Sequence, residues 1–457
     1  MAYRRIVSLL TASLLAGCSS MDSIMPSAPN IFLADIVGGQ VSQRADMTGL
    51  AVSDEPFAAK AGTAILSQGG SAADAAAAMF FTLSVTYPVA AGLGGGGICL
   101  VRNDKGRIAE YDFLAQAAGS GGAYAVPGAV AGFYDMQKAY GALPWQRVVA
   151  PAEAYAGAGF PISHVLAQRL SVIQSIVAQD PLLAAEFMSD GTLKPEGSVV
   201  ANTALAQTLA QVRLSGADGF YKEAVAGSLV RASAEGGRPL NLAELAAYRA
   251  ALVQPRIQRR GEVSAAMPGP STGAGAFIAA LVTNTGTGEP QGAIVNGLRR
   301  TLASFNIATV PPDLGATGFA AMDKNGQAVA CAVTLNGPFG SGHSAADSGV
   351  TLAASPSAPN GISSAFLTPM IVTDSSGAVT LAGAGSGGPN GSGAMVYALL
   401  RRAAGAGVTR PTDLRSTGLA PFATANTIAC QNGLCVALPD PGGSGLGASV
   451  DRPIATK

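Results

Sequence analysis

From Ala75 to Val101 the chain carries no charged side chain, a stretch long enough to suggest a membrane span. Pro88 and the glycines Gly92, Gly94, Gly95, Gly96 and Gly97 forbid a continuous helix there. The segment instead divides into a helix end, a glycine loop and a buried strand, Ile98-Cys99-Leu100-Val101. Elements this apolar must be covered by other protein, so the chain needs a large layered core. Its 457 residues, 48% of them hydrophobic, can supply one.

Only 12% of residues are charged, and 28 basic side chains balance 28 acidic ones. That balance excludes a disordered polyelectrolyte and offers no excess of Lys and Arg to nucleic acid. With 2 histidines and 5 cysteines, a multi-ligand zinc site is not expected, and neither is a cofactor. A Ser-His-Asp hydrolase would have only His164 or His343 as its base. No Gly-x-Ser-x-Gly stretch sits between a convincing strand and helix to be served by either.

The first residues read as an export signal. Arg4 and Arg5 precede the short apolar run Ile6 to Leu15, which is too short for a stable span. Leu15-Ala16-Gly17-Cys18 then resembles a bacterial lipobox, in which the thiol is diacylated and becomes the new N-terminus. An ordinary signal peptide with an incidental cysteine is the alternative. On the lipobox reading, residues 1–17 are a signal peptide and Cys18 is lipidated. Residues 18–45 form a Ser-, Pro- and Gly-bearing tether to the membrane. Ser19 resembles a signal for sorting to the outer membrane. The expected location is the bacterial cell envelope, at the outer membrane facing the periplasm.

Cys430-Gln-Asn-Gly-Leu-Cys435 carries an Asn-Gly pair suited to a type I′ hairpin turn, which makes the two cysteines a cross-strand pair. A disulfide is expected there. Cys99 and Cys331 lie in apolar runs and are expected to be buried free thiols. Helical patterns run from Pro56 to Leu66 and from a Ser71 cap onward. Others cover roughly 129–141, 145–158, 164–177, 202–215, 222–235 and 242–248. Strand-like runs follow at Gly318–Met322, Ala328–Val333, Met370–Thr373 and Val379–Ala382, joined by turn signals. Helices first and antiparallel strands later suit an α+β domain with helices outside sheets.

Several blocks together resemble the gamma-glutamyltransferases, also called glutathione hydrolases. They are Ala51-Val-Ser-Asp-Glu-Pro56, Ile65 to Ala75, Gly92-Leu-Gly-Gly-Gly-Gly97, Val126-Pro-Gly128, Tyr140 to Trp145, Gly216 to Tyr221 and Met267 to Gly273. The resemblance implies a four-layer αββα sandwich of the N-terminal-nucleophile hydrolase type. It also implies a chain that cuts itself before a threonine, whose freed amine then serves as base for its own hydroxyl. A large-subunit-like part, 46–315, and a small-subunit-like part, 316–457, would share one domain. The implied ligand is a small amide or peptide; nucleic acid is not.

Residue by residue, the family's chemistry is only partly present. Gly326, Thr334-Leu335-Asn336 and Phe339-Gly340 fix a register that puts Ala316 at the nucleophile position. Thr317 is the adjacent hydroxyl and the alternative nucleophile, although a one-residue shift along a strand turns a side chain to the other face. An inert strand threonine is the plainer reading. Leu114 stands at the position of the carboxylate-binding arginine. Ala353 to Ala358 replaces the acidic block, and Ala365 to Pro369 replaces a Ser-Ser motif. Retained are Thr334, Asn336 as a substrate-binding residue, and the oxyanion pair Gly387-Gly388, although turn and backbone roles would also explain them. A zwitterionic gamma-glutamyl head needs charged partners when desolvated, so its binding is expected to collapse. The expected molecule is a catalytically degenerate envelope lipoprotein of this family. The alternative is an amide hydrolase using Thr317.

Overall fold

The computed structural model describes residues 41–42, 49–286, 290–408, 411–412, 414 and 420–450. Cys18, the signal peptide and the tether lie outside the described residues, apart from Val41–Ser42.

Two seven-stranded sheets lie face to face, and every strand pairing in them is antiparallel. Sheet I runs, edge to edge, through 41–42, 434–438, 424–431, 379–386, 368–373, 263–267 and 256–260. Sheet II runs through 251–253, 108–112, 96–102, 328–334, 316–323, 49–53 and 446–450. Strand alternation explains the layering. In the strand Ala316–Asp323, Phe319 and Ala321 join the core beneath the helices. Ala316 and Ala320 turn toward sheet I. Helices Pro56–Ser67, Ala72–Thr86, Ala129–Tyr140 and Trp145–Ala158 cover the outer face of sheet II. Helices Gly273–Thr285, Pro290–Ser304 and Pro389–Ala403 cover sheet I. The result is the expected αββα sandwich.

The uncharged run resolves as its glycines require. Ser71 caps the helix Ala72–Thr86 in a reciprocal box with Asp74, and all fifteen helical residues are buried. The loop that follows brings backbone segments into contact. A Cβ on Gly94 would lie 2.1 Å from Thr351 O, and one on Gly96 would lie 2.2 Å from Ala115 N. The buried strand begins two residues early, at Gly96, and ends at Arg102. The block from Ala51 to Pro56 begins as strand: Gly49–Ser53 precedes the first helix, Pro56–Ser67.

The structure bridges Cys430 and Cys435, which face each other across a hairpin. One expectation is overturned: Cys99 and Cys331 are not free thiols but form a second disulfide. They lie directly opposite on neighbouring strands of sheet II, a pairing visible only once strands 232 residues apart are in register. This bridge joins the parts on either side of residue 316.

Candidate functional site

The junction between the two parts is a glycine turn. Gly315 has φ +58°, and a Cβ there would lie 1.8 Å from Gly337 O, so only glycine fits. Ala316 opens the next strand and is 1% exposed. Its methyl packs between the sheets with Ile98, Ala274, Ala332, Leu367 and Ala384, and Leu114 leans on the same cluster. Leu114 is held in place through its backbone: its N–H donates to Asp112 Oδ1 at 3.1 Å, and its carbonyl accepts from Tyr248 at 2.9 Å. Ala316 and Leu114 thus belong to one buried apolar cluster.

Thr317 points elsewhere. Its hydroxyl donates to Asp54 Oδ2 at 2.6 Å. The same carboxyl accepts from Thr424 at 2.9 Å and from Asn426 Nδ2 at 2.7 Å. Asn426 also reaches Gly318 O at 2.8 Å, so the network ties the two sheets together. Thr317 is fully buried.

Thr334 lies against the junction. Gly315 O accepts from Thr334 Oγ1 at 2.9 Å and from the Leu335 N–H at 3.1 Å. Ser363 Oγ is 2.7 Å from Thr334 Oγ1 and 2.8 Å from Leu314 O. Ser363 was not anticipated, because the ungapped register at Ala365 to Pro369 assigned no hydroxyl to this place. Asn336 adopts φ +60°, donates from Nδ2 to Ala354 O at 3.0 Å, and leaves Oδ1 buried without a partner. Gly387 (φ +75°) and Gly388 (φ +143°) precede the helix Pro389–Ala403, with Gly388 beside Leu314.

The residues just before the junction are gripped by a buried ion pair. Arg169 pairs bidentately with Asp313, Nε to Oδ2 at 2.9 Å, and also donates to Tyr87 at 3.2 Å. Its guanidinium lies over the rings of Tyr87 and Phe422. Burial works against the charge on Arg169, but Asp313 and Tyr87 outweigh it and hold the group above its ordinary range. Asp313 Oδ1 also accepts from the Gly315 N–H at 2.8 Å.

Three further glutamates are buried, and desolvation pushes each carboxyl up to about 7. Glu55 caps the helix Pro56–Ser67 and accepts from Thr86 at 2.8 Å. Glu110 lies in sheet II and accepts from Gly269 N at 2.6 Å. Glu186 accepts from Asn202 at 3.1 Å and lines a cavity of about 20 Å³, room for one water. Among the described residues, neither histidine is bonded to a serine hydroxyl. His164 pairs with Glu196 and Gln168, while His343 lies against Ala232 O and Glu235.

A cephalosporin acylase structure from Bacillus halodurans superposes with a TM-score of 0.70 at 18% identity, covering 92% of this chain and 98% of that one. The fold is therefore that of the N-terminal-nucleophile hydrolases. The family model described as gamma-glutamyltranspeptidase matches residues 58–291, and the chain belongs to that family. Relatives include glutathione hydrolase 2 of Arabidopsis thaliana, 31% identical over 53% of this chain and 45% of that protein. The glutathione hydrolase proenzyme of Escherichia coli is 31% identical over 49% of this chain and 43% of its own length. The chain thus spans under half the length of these relatives. The gamma-glutamyltranspeptidase structure from Helicobacter pylori superposes with a TM-score of 0.52 at 25% identity, over 56% of this chain and 82% of that one.

Proposed function

We propose that this chain is a catalytically degenerate member of the gamma-glutamyltranspeptidase family that neither cuts itself nor turns over glutathione. The observation that carries the reading is the buried apolar cluster at the junction. A methyl group at Ala316 has no oxygen with which to attack, and Leu114 offers a substrate carboxylate no charge. The Leu15 to Cys18 motif supports export and lipid anchoring at the bacterial envelope, with the protein facing the periplasm. The Thr317 alternative has less support, because that hydroxyl is committed to Asp54 and its strand would need a bulge to redirect it.

A denaturing gel of the purified protein tests the proposal. The sample must be reduced, since Cys99–Cys331 would hold two fragments together. One band near the 45.3 kDa of the full chain is expected. Two fragments meeting near residue 316 would overturn the reading, and a fragment starting at Thr317 would establish the alternative.

A further inference from the structure

We infer that the buried Arg169–Asp313 pair is a positioning clamp that still seats the Gly315–Ala316 peptide bond for cleavage, so that the junction lacks only the attacking oxygen. This rests on the degenerate reading above. Five contacts fix the three residues Asp313, Leu314 and Gly315. Arg169 fixes Asp313 through two parallel bonds, and Asp313 fixes the Gly315 N–H. The Gly315 carbonyl then accepts from both Thr334 Oγ1 and the Leu335 N–H. Ser363 holds the preceding carbonyl. The Gly315 carbonyl oxygen thus already has two donors within 3.1 Å. A guanidinium as buried as that of Arg169 is costly to place, and the carboxylate that pairs with it also holds the Gly315 N–H.

The step the clamp would serve balances. With a hydroxyl supplied at position 316, its oxygen attacks the Gly315 carbonyl carbon and the C–N bond breaks. The hydroxyl proton ends on the departing nitrogen, leaving an ester between Gly315 and the new side chain. Water then hydrolyses that ester to a Gly315 carboxylate and a free hydroxyl.

The test introduces the missing atom as Ala316→Ser, which adds one oxygen to the apolar cluster, and as Ala316→Thr. Each purified chain is followed over days on reducing gels, with N-terminal sequencing of any small fragment. Cleavage between residues 315 and 316 is expected in at least one variant, while the unsubstituted chain stays whole. Adding Arg169→Met is expected to slow that cleavage at least about tenfold. A core substitution chosen to lower the melting temperature equally, such as Leu209→Ala, is expected to leave the rate within about twofold. Folded variants that stay intact would overturn the inference, as would Arg169→Met cleaving as fast as its parent or no slower than the stability-matched control. Cleavage of the unsubstituted chain would instead sink the degenerate reading, which keeps the two failures apart.

Discussion

Replacing Thr317 with valine preserves the shape of the side chain and deletes one hydroxyl. If Thr317 is a structural residue, the cost is read from the network it leaves. Asp54 would keep two of its three side-chain donors, Thr424 and Asn426, and Oδ2 would lose its shortest contact, at 2.6 Å. A hydrogen bond to a charged group contributes about 1.5–3 kcal/mol, so Thr317→Val should destabilise the protein by ~2 kcal/mol. Urea unfolding near neutral pH would show this as a lower midpoint at unchanged slope. In an Asp54→Asn background the same substitution should cost at least ~1 kcal/mol less, because the two residues share one interaction. A loss below ~0.5 kcal/mol, or an equal loss in both backgrounds, would refute the structural assignment of Thr317.

Two further outcomes follow from buried groups. Glu55, Glu110 and Glu186 bind a proton more tightly folded than unfolded, each titrating near 7 rather than 4.5. Their stabilising effect is therefore complete below about pH 4.5 and is lost as pH rises through 7, at up to ~3 kcal/mol per group. The melting temperature should be higher at pH 5 than at pH 8, and a rise toward pH 8 would contradict this. The Cys99–Cys331 bridge closes 232 residues, so replacing both cysteines with alanine should cost up to ~5 kcal/mol on a chain-entropy account. Calorimetry showing an unchanged transition would reject that contribution.

Much of the fold was legible because its signals are local. The Ser71 cap, the charge-free helix after it and the glycines that end the run together specify helix, loop and strand without tertiary information. The identity of Ala316 was equally legible, since a residue type needs no structure to be read. What the sequence hid depends largely on distance. The Cys99–Cys331 pairing needs the register of two strands far apart in the chain. Ser363 lies in a 3-10 helix, Pro359–Phe366, and only the fold carries it to Thr334, 29 residues earlier in the chain. Arg169 and Asp313 are 144 residues apart, and each looks like an ordinary surface charge until the fold buries them together. The edge strand Arg256–Arg260 was missed because three arginines in five residues do not look like a strand, although charge suits the edge of a sheet.

The helix Ala72–Thr86 shapes what mutation can do to this protein. Six of its fifteen residues are alanines, all fully buried, packed against helices and against sheet II. A larger side chain there has no solvent to escape into, and a smaller one leaves a void. In a saturation library scored only for folded yield, this stretch should be among the least forgiving. Invariance along it would therefore record crowding, and would appear equally in family members that have kept catalysis and in those that have lost it.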